Sequence, residues 1–120
     1  MANEGYLTVN LKANKSGANI AQNYSASYSM TGNEMMQGTQ NIGTTAELVT
    51  FGNITGAPQM VSIRNLDSTN YIELGGDSGL TVFKIKVAAG GIAVFTASSA
   101  TLYAKANTAA CNILIQAVEI

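Results

Sequence analysis

Apolar and polar residues alternate one by one through most of the chain, which is the pattern of β-strands with one buried face. Leu7, Val9 and Leu11 alternate with polar residues, and residues 24–30 repeat the pattern with serines between the apolar positions. After residue 60 the alternation recurs in short runs separated by turns rich in Gly, Asn and Asp. Because no segment shows apolar residues at the 3.6-residue spacing of a helix, an all-β fold is predicted.

The short runs in the C-terminal half predict three β-hairpins, which join residues 61–64 to 72–74, 83–87 to 92–95, and 102–106 to 112–120. Residues 48–51 add a short strand, whereas the polar residues 13–22 are predicted to form a loop or a short irregular crossing. Residues 32–45 show no clear pattern. The total of about eight to nine strands, spaced about 8–12 residues apart, predicts an antiparallel β-sandwich with a jelly roll as the candidate topology.

Length and charge narrow the classes of function. A chain of 120 residues fits one domain, so residues 1–120 are predicted to form a single sandwich, with residues 1–45 including an extended N-terminal segment. Only 11% of residues are charged, and the six Lys and Arg are scattered between Lys12 and Lys105. Nucleic acid and membrane surfaces are therefore not expected partners, since both require clustered basic residues. The start of the chain lacks the features of a signal peptide, so we expect synthesis in the cytoplasm.

One short motif has the form of a catalytic site. Gly76-Asp77-Ser78-Gly79 matches the sequence around the nucleophile of chymotrypsin-like serine proteases. A serine of that family needs a histidine as general base, and this sequence contains none. We therefore interpret the motif as a glycine-rich turn, and we expect no enzymatic activity.

The remaining candidates for site chemistry are few. Asp67, Glu73 and Asp77 are possible calcium ligands if their turns converge, although their spacing matches no EF-hand loop. Asp side chains in turns more commonly bind their own backbone amides. The single cysteine, Cys111, lies in an apolar run and is predicted to be a small buried residue. No catalytic residue, cofactor or metal site is predicted.

The last predicted strand is apolar on both faces, which is the main sign of an interaction surface. Ile113, Ile115 and Ala117 fall on one face, which we assign to the core. The other face then needs a second cover, from the domain itself or from a neighbouring subunit. The residues predicted to form such an interface are those of the second face and two from the N-terminal strand: Leu114, Val118, Ile120, Leu7 and Val9. Residues 2–13 either add a strand to a neighbour's sheet or form an ordinary strand of the domain.

Three stretches of the C-terminal half, residues 61–75, 85–95 and 101–115, carry a resemblance. Their order is Asn-Leu-Asp-Ser-Thr-Asn, an extended segment, a glycine turn, Leu-Tyr-Ala-Lys-Ala and a closing strand. This resembles small virion proteins of tailed bacteriophages. The resemblance implies a capsid cement (decoration) protein of sandwich or jelly-roll type, or a comparably small tail or adaptor subunit. Residues 1–40 carry no such match.

These observations predict a structural protein. The first hypothesis is a non-enzymatic cement subunit on the capsid surface, which binds the major capsid protein as a homo-oligomer, either a trimer or a dimer. The second is a tail, baseplate or connector subunit of the virion. A host-binding or carbohydrate-binding β-module is a third hypothesis, which the scarcity of aromatic residues and the absence of tryptophan disfavour. A hydrolase comes last.

Overall fold

The computed structural model of the chain describes residues 4–30, 34–54, 56–58, 60–97 and 99–119. No helix in these ranges is long and apolar enough to cross a membrane. Within them the backbone forms ten strands: β1 (Gly5–Lys15), β2 (Ala18–Tyr28), β3 (Met35–Ile42), β4 (Glu47–Leu48), β5 (Met60–Asn65), β6 (Ile72–Gly75), β7 (Ile85–Val87), β8 (Ile92–Phe95), β9 (Tyr103–Ala106) and β10 (Cys111–Val118).

Eight of these strands form two four-stranded antiparallel sheets, in the orders β3-β10-β5-β8 and β4-β9-β6-β7. The pairs are nested, because β6 pairs with β7, β5 with β8, β4 with β9 and β3 with β10. Such nesting is what results when one long hairpin is rolled up. The pairs β5–β10 and β6–β9 join successive turns of the roll. This is the jelly-roll topology, so the predicted antiparallel β-sandwich is confirmed.

The core lies between the two sheets and is filled by alternate residues of the facing strands. In β10, Cys111, Ile113, Ile115 and Ala117 are at most 1% exposed, as a period of two requires. Each fully buried Ile or Leu contributes about 1.5–3 kcal/mol of transfer free energy. The other sheet and its loops complete the core with aliphatic and aromatic side chains: Val49, Phe51, Ile72, Leu74, Val87, Leu102, Ala104 and Ala106.

The remaining two strands, β1 and β2, form a separate two-stranded hairpin in continuous register from Gly5–Tyr28 to Lys15–Ala18. Its two-residue turn is Ser16-Gly17, both with positive φ (54° and 83°), as a type I′ turn requires. Eleven residues at about 3.4 Å each make the hairpin about 37 Å long. The radius of gyration is 15.5 Å, against about 13.6 Å for a compact domain of this length, because the hairpin projects from the sandwich.

All three hairpins predicted in the C-terminal half are wrong. The strands β5 and β6, β7 and β8, and β9 and β10 follow one another in sequence, but in each case the two lie in different sheets. Alternation shows that a strand has one buried face. Since both sheets bury their faces in the same core, the pattern does not say which strand is the partner.

Two segments without a predicted strand are also corrected. Residues 13–22 form the end of the β1–β2 hairpin, and residues 35–42 form the edge strand β3. Within residues 2–13, the part from Gly5 onward pairs with β2 of the same chain. The buried face of β3 includes Gly38 and Gln40. Because neither residue is a large apolar one, the sequence of β3 does not show the alternation of apolar and polar residues. Gln40 donates from Nε2 to the Leu48 carbonyl oxygen at 2.9 Å and so ties β3 to the following segment.

Candidate interaction surfaces

The protease-like motif is a turn held together by its aspartate. Asp77 accepts hydrogen bonds from the Thr81 hydroxyl (2.6 Å), the Thr81 amide (2.7 Å) and the Val82 amide (3.0 Å). The side-chain bond from Thr81 and the backbone bond from Val82 lower the pKa of Asp77 below its ordinary value of 3.8. Ser78 is exposed at the tip of this turn. The carboxylate is thus used to close the loop between β6 and β7, as the turn interpretation predicts.

The loop between β5 and β6 is closed by a similar network. Asn65 is fully buried; its Nδ2 donates to the Asn70 carbonyl oxygen (2.8 Å), and its Oδ1 accepts from the Asp67 amide (3.0 Å). Asp67 accepts from the amides of Asn70 (2.6 Å) and Thr69 (3.0 Å), which lower its pKa below 3.8. The Asn-Leu-Asp-Ser-Thr-Asn stretch of the phage resemblance therefore shapes a loop of the jelly roll.

The candidate calcium ligands do not converge. Asp67 and Asp77 bind the backbones of separate loops, and Glu73 lies 3.9 Å from Lys84 Nζ. Among the described residues no group of three or more His, Cys, Asp or Glu side chains is placed to hold a metal ion.

Cys111 is fully buried at the start of β10, as predicted. Its Sγ lies 3.5 Å from the Ala109 carbonyl oxygen. Burial, with a smaller effect from the charge of Asp67, raises the pKa of the thiol above 9.0. A buried, protonated thiol is a poor nucleophile, so Cys111 is a packing residue.

An apolar surface lies on the side of the β3-β10-β5-β8 sheet that faces away from the core. It is called the outer face here and comprises the outward residues Met35, Met60, Ile92, Val94, Leu114 and Val118. Met35 and Ile92 are 62% and 61% exposed. The register places Val118 between Met35 and Met60, so the apolar residues of three strands adjoin. About half of the outward positions of this sheet are therefore apolar, whereas a sandwich sheet facing water is ordinarily polar on its outer side.

The outer face carries a single charge. Arg64 lies on it between Leu114 of β10 and Ile92 of β8, and it makes no ion pair with the described residues. The other polar positions are neutral: Gln37, Thr39, Asn41, Ser62, Asn112 and Gln116. Gln116 Nε2 donates to Gln37 Oε1 at 2.6 Å across the sheet. No carboxylate lies at the outward positions of these four strands.

A second apolar surface runs along one side of the β1–β2 hairpin. Residues that pair across an antiparallel hairpin point to the same side, so the register defines this surface. It is called the hairpin apolar face and comprises Leu7, Val9, Leu11, Ala13, Ile20, Tyr24 and Ala26. Leu11 and Ile20 are 61% and 62% exposed, although they are large aliphatic residues. The opposite side is mainly polar, with Thr8, Asn10, Lys12, Asn23 and Ser25.

A groove of about 550 Å³ separates the base of the hairpin from the outer face. The hairpin contributes Tyr6, Leu7, Thr8 and Tyr28 to one wall, and the sheet contributes residues that include Met60, Val94 and Val118 to the other. Leu7, Ala26 and Tyr28 are half-buried, whereas the hairpin beyond them is exposed on both sides. The domain therefore covers the base of the hairpin apolar face and leaves its far half open.

The predicted interface residues thus fall on two neighbouring surfaces. Leu114 and Val118 lie on the outer face, and Leu7 and Val9 lie on the hairpin apolar face. Ile120 lies outside the described residues. Met35, Met60, Ile92 and Val94 also lie on the outer face but were not among the predicted interface residues, because only the sheet order brings them next to β10. Ile20 and Tyr24 lie on the hairpin apolar face and were not predicted there, because their pairing with Ala13 and Val9 is set by the turn at Ser16-Gly17.

Comparison with known proteins finds similarity among solved structures. No protein-family model matches the chain, and no curated protein matches it. Among solved structures, a similar chain comes from one described as "Bacillus endospore appendages form a novel family of disulfide-linked pili". The two chains are 17% identical with a TM-score of 0.44, and the alignment covers 100% of this chain and 96% of that chain. The jelly-roll assignment rests on the strand order and register of this chain itself.

Proposed function

We propose that this chain is a non-enzymatic structural subunit that attaches through the outer face to a larger protein assembly. The observation that carries the proposal is the set of large apolar side chains on the outer face, with Met35, Ile92 and Val94 exposed and Leu114 half-buried there. Met35, Val118 and Met60 adjoin across three strands, and exposed apolar side chains grouped in this way on a folded domain are a mark of an interaction surface. Asp67, a candidate calcium ligand, and Asp77, in the protease-like motif, use their carboxylates to bind backbone amides.

The assembly we propose is the capsid of a tailed bacteriophage, with the major capsid protein as the partner and the capsid surface as the location. Support comes from the resemblance of residues 61–75, 85–95 and 101–115 to small virion proteins. A cement subunit stabilises a shell by burying surface area across the junctions between the capsid subunits. This role needs an exposed apolar surface and no catalytic residues.

The charge of the outer face specifies the partner surface. Arg64 lies among apolar neighbours with no carboxylate on the same face, so a docked partner would bury it. A buried guanidinium requires a counter-charge and hydrogen-bond acceptors. The complementary patch is therefore apolar with at least one Asp or Glu opposite Arg64.

A binding assay with particles tests this function. Purified chain is mixed separately with empty shells, isolated tails and bacterial cells, and the bound fraction is measured after sedimentation. The test variant is Leu114→Asp, on the outer face. The matched control is Tyr103→Asp, at an outward and similarly half-buried position of the other sheet. We expect binding to shells by the wild type and by Tyr103→Asp, and at least about tenfold weaker binding by Leu114→Asp.

Each other result contradicts part of the proposal. Binding to tails alone would make the chain a tail, baseplate or connector subunit, and binding to cells alone would make it a host-binding module. Unchanged shell binding by Leu114→Asp would remove the outer face as the docking surface. Absence of binding to all three would overturn the virion assignment.

A further inference from the structure

We propose that the outward side of the β4-β9-β6-β7 sheet binds an anionic polysaccharide, which is a chain of sugars that bear carboxylate, phosphate or sulfate groups. This surface is called the lysine face here and comprises six residues: Tyr71, Glu73, Lys84, Lys86, Tyr103 and Lys105. The inference concerns the side of the sandwich opposite the outer face. It rests on the proposed attachment to a shell only for the direction in which the lysine face points on a particle.

The fold brings three lysines together around one carboxylate. Lys86 and Lys105 pair with Glu73 from the two neighbouring strands, so the three side chains lie in one row across β7, β6 and β9. The Nζ atom of Lys84 lies 3.9 Å from Glu73 Oε2, which places Lys84 on the same side. Lys86 and Lys105 form no ion pair with the described residues. Half of the six basic residues of the chain thus lie on one surface.

The lysine face is positive although the chain as a whole is negative. With three lysines and one glutamate, it carries a net charge of +2, against −1 for the whole chain. Glu47 of β4 pairs with the buried Ala104, so it lies on the other side of the sheet, where it accepts a hydrogen bond from the Gly43 amide. Glu73 is therefore the one carboxylate at the outward positions of these four strands. The complementary ligand is an anion.

Two tyrosines adapt this surface to sugars. Lys86 Nζ lies 4.3 Å from the centre of the Tyr71 ring, and this cation–π contact orients the ammonium group. Tyr103 lies two residues before Lys105 on the same side of β9 and is half-buried. Sugar rings present C–H groups, which pack against the faces of aromatic rings because those faces carry partial negative charge. A sugar chain with acidic groups therefore matches both the tyrosines and the lysines.

The spacing of the lysines favours a chain over a small anion. Lys86 and Lys105 are two strands apart, which is about 10 Å, and Lys84 and Lys86 are about 7 Å apart along one strand. A polymer with repeated charges can contact all three lysines in an extended form. If the outer face docks on a shell, the lysine face is turned away from it, and many copies on one particle would bind a polysaccharide together.

Calorimetric titration of the purified chain with polygalacturonate, a linear polymer of acidic sugars, tests this inference at about 0.02 M NaCl. The test variant is Lys86→Gln/Lys105→Gln. The control is Lys12→Gln/Lys15→Gln, which removes the same two charges from the hairpin. We expect dissociation constants within about threefold for the wild type and the control, and at least about tenfold weaker binding by the test variant. Binding should weaken in about 0.15 M NaCl, because salt screens the charges.

Three other polymers identify the ligand class: neutral dextran, poly-glutamate and single-stranded DNA. We expect no binding to dextran and weaker binding to the other two than to polygalacturonate. Tighter binding to poly-glutamate would make the partner an acidic protein, and tighter binding to DNA would make it a nucleic acid. Either result overturns the inference, as does an equal loss of affinity in the two double variants or no binding of polygalacturonate by the wild type.

The variant Leu114→Asp separates this inference from the proposed attachment to a shell. We expect it to lose shells and keep polygalacturonate, because its new charge lies on the opposite side of the sandwich. Lys86→Gln/Lys105→Gln should show the reverse behaviour. A wild type that binds polygalacturonate through the lysine face but binds no shells would reject the attachment and retain this inference.

Discussion

Ile113 and Leu114 are adjacent in β10 and have opposite surroundings: Ile113 is fully buried in the core, whereas Leu114 lies on the outer face between Thr39 and Arg64. One residue step along this strand therefore separates the surface that holds the domain together from the surface that we propose holds it to a partner.

The first prediction uses this pair. Ile113→Asp places a carboxylate in the core and should destabilise the domain by at least about 4 kcal/mol, enough to unfold a domain of ordinary stability. Leu114→Asp places the new charge at a half-buried position on the outer face, where water still reaches it, so its effect should stay below about 2 kcal/mol. Urea unfolding followed by circular dichroism measures both. If Leu114→Asp unfolds the chain and Ile113→Asp does not, the two faces are reversed.

The second prediction concerns acid stability. Amide hydrogen bonds to Asp67 and a hydroxyl and amides bound to Asp77 lower both pKa values in the folded state. A lowered folded pKa means that these carboxylates stabilise the fold above their unfolded pKa, near 3.8, and that this contribution is lost as the pH falls through the folded pKa. The urea concentration at which half of the wild type is unfolded should therefore decrease as the pH is lowered below about 4.

Asp67→Asn is the matched variant for that experiment, because it keeps the shape of the side chain and removes its charge. Its urea midpoint should be lower than that of the wild type at pH 7 and should change less between pH 5 and pH 2. An identical pH profile for the two proteins would show that Asp67 does not contribute through its ionised form.

The third prediction compares two glycines. A Cβ at Gly75 would lie 2.5 Å from Leu80 Cδ2 and 2.8 Å from the Phe83 carbonyl oxygen, so Gly75→Ala must displace the β6–β7 loop. We expect a loss of about 1–3 kcal/mol in the free energy of unfolding. A Cβ at Gly56 would meet no other described atom within 4 Å, so Gly56→Ala should be neutral or slightly stabilising. Equal effects in thermal unfolding would contradict the close packing at Gly75.

The fourth prediction concerns Cys111. A fully buried thiol with a raised pKa should resist a thiol-specific reagent at pH 8 in the native state and react completely in urea. The rate of labelling should follow the rate of unfolding. Rapid labelling of the folded protein would show that β10 opens locally. Cys111→Ala should retain particle binding, since the thiol has no chemical role.

Much of the fold follows from the sequence because side-chain orientation in strands depends on local alternation. The buried side of β10 could be predicted for this reason, since Ile113, Ile115 and Ala117 repeat at every second position. The partners of the strands could not be predicted, because a jelly roll pairs β3 with β10, which lie about 70 residues apart in the chain. The edge strand β3 was hidden because Gln40, on its inward side, is satisfied by the Leu48 carbonyl oxygen.

The candidate surfaces were only partly predictable for a related reason. Leu114 and Val118 were identified because both faces of one strand are apolar. Met35, Met60, Ile92 and Val94 join them only through the sheet order β3-β10-β5-β8, which brings single residues from distant strands together.

A three-dimensional map of the assembled particle that contains this chain is the most direct test of the account. It should show a jelly roll whose outer face, with Leu114 and Arg64, is pressed against the major capsid protein, and an acidic side chain opposite Arg64. A jelly roll attached by its other sheet, with Leu114, Ile92 and Met35 open to solvent, would contradict the central claim.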